Sequence, residues 1–268
     1  MAKSEGRLMK NLLITGASAG IGYETVLLVG QRAAPGQYRF ILVARRGERL
    51  EQLKSLLPNQ ESVVLPCDLG APGAVQDLCQ QLEGLGLPVD ILVNNAGFGF
   101  AGRFESLSWA NQLQMLNVNI VALTELTYRL LPDMKRRGQG HILNVGSVAG
   151  FLPGPYQALY YASKAFVNSL SLALEQELLG TGVAVTTLCP GPTSSEFQQV
   201  AGFADANKGS AMTAQQIAQE VAGCLESPGG IRIPGRSNLI AVHLMGFLPP
   251  RWRARLGGWL GRKRIANP

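Results

Sequence analysis

The sequence predicts a single three-layer α/β domain around a doubly wound parallel sheet, and three observations lead there. Six short apolar runs alternate with longer stretches of helical spacing. The runs are rich in Val, Ile and Leu along their whole length, which is the pattern of strands covered on both faces. Each run is followed by a turn-forming or polar residue, so six strand ends would deliver such groups to one edge, where open α/β sheets bind ligands. A chain of 268 residues with 46% hydrophobic content is large enough to bury such a sheet as one domain.

In chain order, residues 12–15 form the first predicted strand. The turn Gly16-Ala17-Ser18-Ala19-Gly20-Ile21-Gly22 then opens a helix over 21–33. A second strand, 40–44, ends on Arg45-Arg46 before a helix over 48–57. The third, 63–66, leads to Asp68 and Leu69 and a helix over 74–85. The fourth, 91–94, runs into Asn94-Asn95-Ala96-Gly97 and then helical spacing over 109–131. Within that stretch Asn117, Val118 and Asn119 sit among β-branched residues, a poor helix interior, so a local distortion is expected there. The fifth strand, 142–145, closes on Ser147, and the helix over 160–179 opens with Tyr160 and Lys164. The sixth, 183–188, precedes Pro190-Gly191. Beyond Gly191 the pattern turns irregular: residues 192–226 are expected to form a substrate loop or lid and 237–268 a basic amphipathic tail, all within the one domain.

The net charge of +6 raises the question of nucleic acid. Its distribution argues against that: from Ser227 onward there are eight basic residues and no acidic one, and the remainder carries slightly more acid than base. No nucleic-acid partner is expected. Cys67, Cys79, Cys189 and Cys224 are scattered without a Cys-x-x-Cys pair, with only His141 and His243 as companions, so no metal site and a reducing, cytoplasmic setting are expected. The first ten residues lack the apolar stretch of a secretion signal. The apolar tract 239–247 is broken by His243 and stopped by Pro249-Pro250, short of the roughly 20 residues a membrane span needs. Further on, Leu244, Phe247, Trp252, Leu256, Trp259 and Leu260 lie among arginines. A helix docked on its own domain or on a partner subunit fits this and is preferred, and an amphipathic helix on an anionic membrane surface is the alternative.

The glycine turn has a physical purpose. Gly16 permits a tight turn, Gly20 lets backbone approach a pyrophosphate, and Gly22 lets the next helix pack closely, its N-terminus favouring negative charge. After the second strand a carboxylate would accept from the ribose 2′-hydroxyl of NAD, whereas arginine accommodates the 2′-phosphate of NADP. No carboxylate stands there. Arg45 first and Arg46 second, with Ser18 as a hydroxyl donor, therefore indicate NADP(H). Asp68 suits either the adenine amine or a cap on the helix after Pro72. Tyr160 and Lys164, four apart, share a helix face. A cation about 4 Å from the phenol would favour the phenolate by several kcal/mol at an effective dielectric of about 20, with about 1.36 kcal/mol per pKa unit. Tyr160 is thus expected to be drawn down toward the working pH, as general acid catalysis requires. Tyr156 and Tyr161 are rival phenols, but neither lies four residues before Lys164.

The ordered set Thr15-Gly-x-x-x-Gly20-Ile-Gly22, Asn94-Asn95-Ala96-Gly97, Asn119, Ser147, Tyr160-x-x-x-Lys164 and Pro190-Gly191 resembles the short-chain dehydrogenase/reductase (SDR) family, with its Rossmann fold, over about residues 12–195. A softer likeness, carried by Asn95-Ala-Gly-Phe-Gly, Pro190-Gly-Pro-Thr and the arginine-rich tail, is to bacterial NADP-preferring reductases. The resemblance implies that Tyr160 is the general acid/base, that Ser147 bonds the substrate oxygen, that Lys164 also binds the nicotinamide ribose, and that Asn119 holds a water that continues the proton relay. It implies cofactor contacts from Gly16, Ser18, Ala19, Gly20, Ile21 and Gly22, from Arg45, Arg46, Asp68 and Leu69, and from Asn95, Ala96 and Gly97. Pro190 and Gly191 would steer the chain past the nicotinamide, with Thr193 and Ser195 toward its carboxamide; Ser195 stands where the family often has threonine. A homodimer or homotetramer through the long helices, above all 160–179, is implied as well.

Residues 99–104, 149–157 and 193–212 should choose the substrate. Phe98, Phe100, Phe151, Leu152, Tyr156, Phe197 and Phe203 in and beside them favour an apolar carbonyl compound over a sugar. The expectation is an NADP(H)-dependent oxidoreductase interconverting an apolar ketone or aldehyde and its alcohol. The alternative from another class is a catalytically idle NADP-binding sensor or scaffold.

Overall fold

The computed structural model describes residues 9–194 and 211–265. Its strands are β1 (Lys10–Thr15), β2 (Tyr38–Ala44), β3 (Glu61–Pro66), β4 (Ile91–Asn94), β5 (Gly140–Val145), β6 (Val183–Leu188), β7 (Thr193–Ser194), β8 (Met212–Thr213) and β9 (Gly230–Arg232). Seven of them form one sheet in the order β3-β2-β1-β4-β5-β6-β9, every neighbouring pair parallel. The order reverses between β1 and β4, which opens a crevice at their carboxyl ends.

The apolar runs are strands because both sides of each are covered. Along β1 and β2, Leu12, Ile14, Phe40 and Leu42 enter one core and Leu13, Ile41 and Val43 enter the other, all fully buried. Complete burial of each such side chain contributes about 1.5–3 kcal/mol. The first core is closed by α1 (Gly20–Arg32) and α2 (Gly47–Ser55), through Val26, Val29, Leu50 and Leu53. The second is closed by α3 (Ala74–Gly84) and α5 (Leu123–Arg137), through Val75, Leu78 and Leu126.

One expectation is sharpened and one changes. The predicted helix over 109–131 is three pieces: α4 (Trp109–Leu116), a π-helical turn over Asn117–Ala122, and α5. Among the described residues beyond Gly191, regular elements follow one another. The chain forms α7 (Ala214–Glu226), the seventh strand β9, α8 (Arg236–Gly246) and α9 (Pro250–Ile265), after α6 (Ala158–Glu177) of the core layer. α7 starts with a reciprocal cap in which Thr213 Oγ1 accepts from Gln216 N–H and Gln216 Oε1 accepts from Thr213 N–H. It buries Ile217, Val221 and Cys224 in the first core. β9 escapes a pattern search because it has three residues; Gly229 N–H bonds Thr186 Oγ1 at 2.7 Å beside it. Among the described residues no helix is long and apolar enough to cross a membrane, and no cluster of His, Cys, Asp and Glu could hold a metal ion.

Candidate active site

One cleft of about 640 Å³ runs along the carboxyl ends of the strands. It gathers Gly16, Ser18, Ala19, Gly20, Ile21, Arg45, Arg46, Asp68, Leu69, Asn95, Ala96, Gly97, Ser147, Tyr160, Lys164, Pro190, Gly191 and Thr193 in its lining. Two predicted residues stand behind that lining. Gly22 faces the turn itself, where a Cβ would come within 2.5 Å of Gly16 O. Asn119 is buried beneath the Phe98 backbone. Ser195, Phe197 and Phe203 lie outside the described residues.

The turn after β1 is held open by the end of β4. Thr15 Oγ1 accepts from the N–H groups of Asn95 and Ala96, each at 3.0 Å, while Asn95 Nδ2 donates to Thr15 O at 2.9 Å. Gly16 sits at φ +70, and a Cβ on it would lie 2.9 Å from Ala96 Cα, so this position admits only glycine without strain. The first turn of α1 has neither a side-chain cap nor an acidic residue, so its N–H groups and positive dipole end remain available at the cleft. At the end of β2, Arg46 rather than Arg45 turns back onto the glycine turn. Its Nε and Nη2 donate to Ser18 Oγ at 3.3 and 3.2 Å. Asp68 does not cap α3, whose N-cap position is Gly73; its Oδ1 accepts from Gly70 N–H at 3.1 Å and closes its own turn.

The opposite wall is a buried polar layer. Ser147, two residues past β5, accepts from Ala149 N–H at 3.1 Å and shares a hydrogen bond with the Tyr160 phenol. α6 aligns Tyr160, Ser163, Lys164, Val167, Asn168 and Ser171 at spacings of three and four, and the face it buries is mostly polar. Asn94 and Asn144 pair across β4 and β5; Asn94 Nδ2 donates to Asn144 Oδ1 at 2.9 Å, and Asn144 Nδ2 donates to Ser171 Oγ at 2.9 Å. Asn168 Nδ2 donates to Ser147 O at 3.1 Å. This chain of buried amides fixes α6 on the sheet and so fixes where Tyr160 and Lys164 stand. Asn119 completes it from the π-helical turn: Nδ2 donates to Phe98 O at 2.9 Å and to Ser163 Oγ at 3.1 Å, and Oδ1 accepts from Phe98 N–H at 3.1 Å. Sequence reasoning found Asn94 and Asn119 but missed Asn144, Asn168, Ser163 and Ser171. The available signal was polar residues repeating on one face of an otherwise apolar helix.

Lys164 does not draw the phenol down as the spacing suggested. Its Nζ donates to Val145 O at 2.8 Å. Burial pushes Tyr160 up to about 12, with the Ser147 hydrogen bond opposing and Tyr161 adding to the rise. Burial also lowers Lys164 to about 8, with Cys189 opposing. Desolvation is therefore the largest cause of the shift on both groups. The Cys189 thiol, bonded to Asn168 Oδ1 at 3.4 Å, is itself pushed up to about 12 by burial, so it stands as a neutral group beside them. Apolar side chains complete the Tyr160 end: Phe98, Phe100, Val148, Leu152, Tyr161 and Pro192 line it, Phe98 and Phe100 meeting edge to face. Gly99 lets its loop cross the Tyr160 ring, where a Cβ would lie 2.7 Å from Cδ2. Phe151 and Tyr156 stand outside this lining, Tyr156 at φ 69 beside a second cavity of about 20 Å³.

A reversed parallel sheet with a glycine turn at its switch point and a buried Ser-Tyr-Lys group across the cleft defines a class of nucleotide-dependent oxidoreductases. Residues 10–204 match the short chain dehydrogenase family, and the chain belongs to it. It is 35% identical over 187 residues to the ketoacyl reductase HetN of Nostoc sp., a match covering 69% of this chain and 64% of that protein's length. It is 37% identical to sulfoacetaldehyde reductase 2 of Chromohalobacter salexigens, over 70% of this chain and 75% of that one. Among solved structures, a short-chain dehydrogenase from Sphingobium yanoikuyae in complex with NADPH superposes with a TM-score of 0.78 at 28% identity, covering 97% of this chain and 96% of the other.

Proposed function

We propose that this protein is an NADP(H)-dependent reductase of apolar ketones or aldehydes, with Tyr160 as the proton donor. The observation that carries the proposal is the hydrogen-bonded Ser147–Tyr160 pair beside buried Lys164, facing the same cleft as the glycine turn and the Arg46–Ser18 pair. The residues fit a phosphorylated dinucleotide. Backbone N–H groups at the start of α1 suit a pyrophosphate, and Arg46 with Arg45 nearby suits a 2′-phosphate where NAD would call for a carboxylate. The NADPH held by the Sphingobium relative supports the same choice. Bound, that cofactor supplies the hydride.

The rest belongs to the chain. Ser147 and Tyr160 hydroxyls hold a carbonyl oxygen between them. A phenol that burial keeps protonated up to about pH 12 is loaded to deliver its proton to a nascent alkoxide, a far stronger base. Lys164, with a pKa of about 8, is still a cation at neutral pH and stabilises the phenolate left behind. Asn119 acts by fixing the Phe98 loop against Ser163 and α6, whereas the sequence resemblance gives it a water to hold. The apolar lining at the Tyr160 end excludes water and favours an aliphatic or aromatic carbonyl compound over a sugar. Phe166 and Leu172 of α6 and Tyr128 of α5 are exposed on the outer face, which suits a homo-oligomer.

A panel of apolar ketones and aldehydes assayed with NADPH and NADH tests the reading. Consumption of NADPH with several members, at least roughly ten times more efficient than with NADH, is expected. NADPH binding without turnover across the panel would instead identify a cofactor sensor.

A further inference from the structure

We propose that α8 and α9 form a docking surface for an anionic lipid membrane, independently of what the cleft reduces. The two helices have distinct inner and outer faces. Inward, Gly257 and Gly261 let α9 lie against the loop after Phe151: a Cβ on Gly257 would be 2.5 Å from Pro153 O, and one on Gly261 would be 2.7 Å from Pro155 O. α8 is seated through Asn238, whose amide lies against Gly191. Asn238, Val242 and Met245 are half-buried on that side. The tail is therefore docked on its own domain.

The outer face is apolar where a helix seated on its domain should be polar. On α8 it presents Ile240 at 59%, Leu244 at 60% and, at its end, Phe247 at 88% exposure. On α9 it presents Trp252 at 59% and Trp259 at 52%, interleaved with exposed Arg251 and Arg255. The Arg255 guanidinium stands 5.6 Å from the centre of the Trp252 ring. Successive turns of α9 place Arg251, Arg255, Trp252 and Trp259 on one side and Gly257 and Gly261 on the other, as the period of about 3.6 residues dictates.

The chemistry of the face selects the occupant. From Ser227 onward every charged side chain is basic. A second copy meeting this face across a two-fold axis would set arginine against arginine. A bilayer with acidic headgroups offers what the face lacks: negative charge for the arginines, an interfacial layer for the indoles, and hydrocarbon for Leu244 and Phe247.

The full-length protein is tested by co-sedimentation with phosphatidylcholine vesicles made with and without phosphatidylglycerol, at low and high salt. The phosphatidylglycerol vesicles should pellet roughly ten times more protein than the neutral ones, and high salt should remove most of that gain. Arg251→Gln with Arg255→Gln, and separately Phe247→Asp, should each weaken pelleting roughly ten-fold while the circular dichroism spectrum and urea midpoint stay those of the parent. Equal recovery in the supernatant for every vesicle would overturn the proposal. So would a concentration-dependent dimer, seen by light scattering and abolished by Phe247→Asp, in a protein that ignores vesicles.

Discussion

The two walls of the cleft are made by different means. On the β1–β2 side the working parts are backbone and exposed cations: a glycine turn pinned by Thr15 and Asn95, an uncapped helix start, and Arg46 turned onto Ser18. On the β5–α6 side they are buried side chains held by other buried side chains, from Asn94 through Asn144 and Ser171 to the face that carries Tyr160 and Lys164. The first wall costs little stability, because its charges remain in water. The second is expensive, because it places a lysine and a phenol in a poorly solvated layer and shifts both away from their ordinary titration. Recognition by shape tolerates exposure; proton chemistry at a defined atom needs desolvation and a fixed angle.

Removing the cation from the expensive wall should give the largest effect. Lys164→Met is expected to lower turnover by roughly 10²–10⁴-fold, measured as kcat with saturating cofactor. If the loss were confined to KM for cofactor, Lys164 would belong to the binding wall instead.

The same substitution separates the walls in stability. Unfolded, Lys164 titrates near 10.5; folded, near 8. Between those values the unfolded chain holds the extra proton, so stability from this group is lowest below pH 8 and rises as pH goes from 8 to 10.5. Relative to Lys164→Met, the parent should therefore gain about 3 kcal/mol across that window in urea titrations. A difference that stays flat would mean that the ammonium is well solvated.

Arg46→Ala touches only the exposed wall. Affinity for NADPH should fall roughly ten-fold, with NADH affinity and kcat nearly unchanged. A larger effect from Arg45→Ala would restore the order that the sequence alone suggested.

The exposed wall was the more legible of the two. Glycines, arginines and strand ends are local signals, and the six apolar runs located six of the seven sheet strands. The weak helix interior around Asn119 also announced the π-helical turn over Asn117–Ala122. Of the buried wall, Asn94, Asn119, Ser147 and the Tyr160–Lys164 spacing were visible, and the rest of the network was not. That spacing shows that two residues share a helix face, but it carries no information on desolvation, so the direction of the Tyr160 shift came out reversed. α6 hides its supporting network because its inward residues are Ser163, Asn168 and Ser171, which an apolar periodicity assigns outward. Beyond Gly191, short β9 and the outward-facing apolar residues of α8 defeat the same rule.

The most direct test of the central claim is Tyr160→Phe, followed by carbonyl reduction and by NADPH fluorescence titration on the same preparation. The account predicts turnover reduced by roughly 10²–10⁴-fold with NADPH affinity unchanged. Turnover within about three-fold of the parent would contradict it, since the proton would then come from another group.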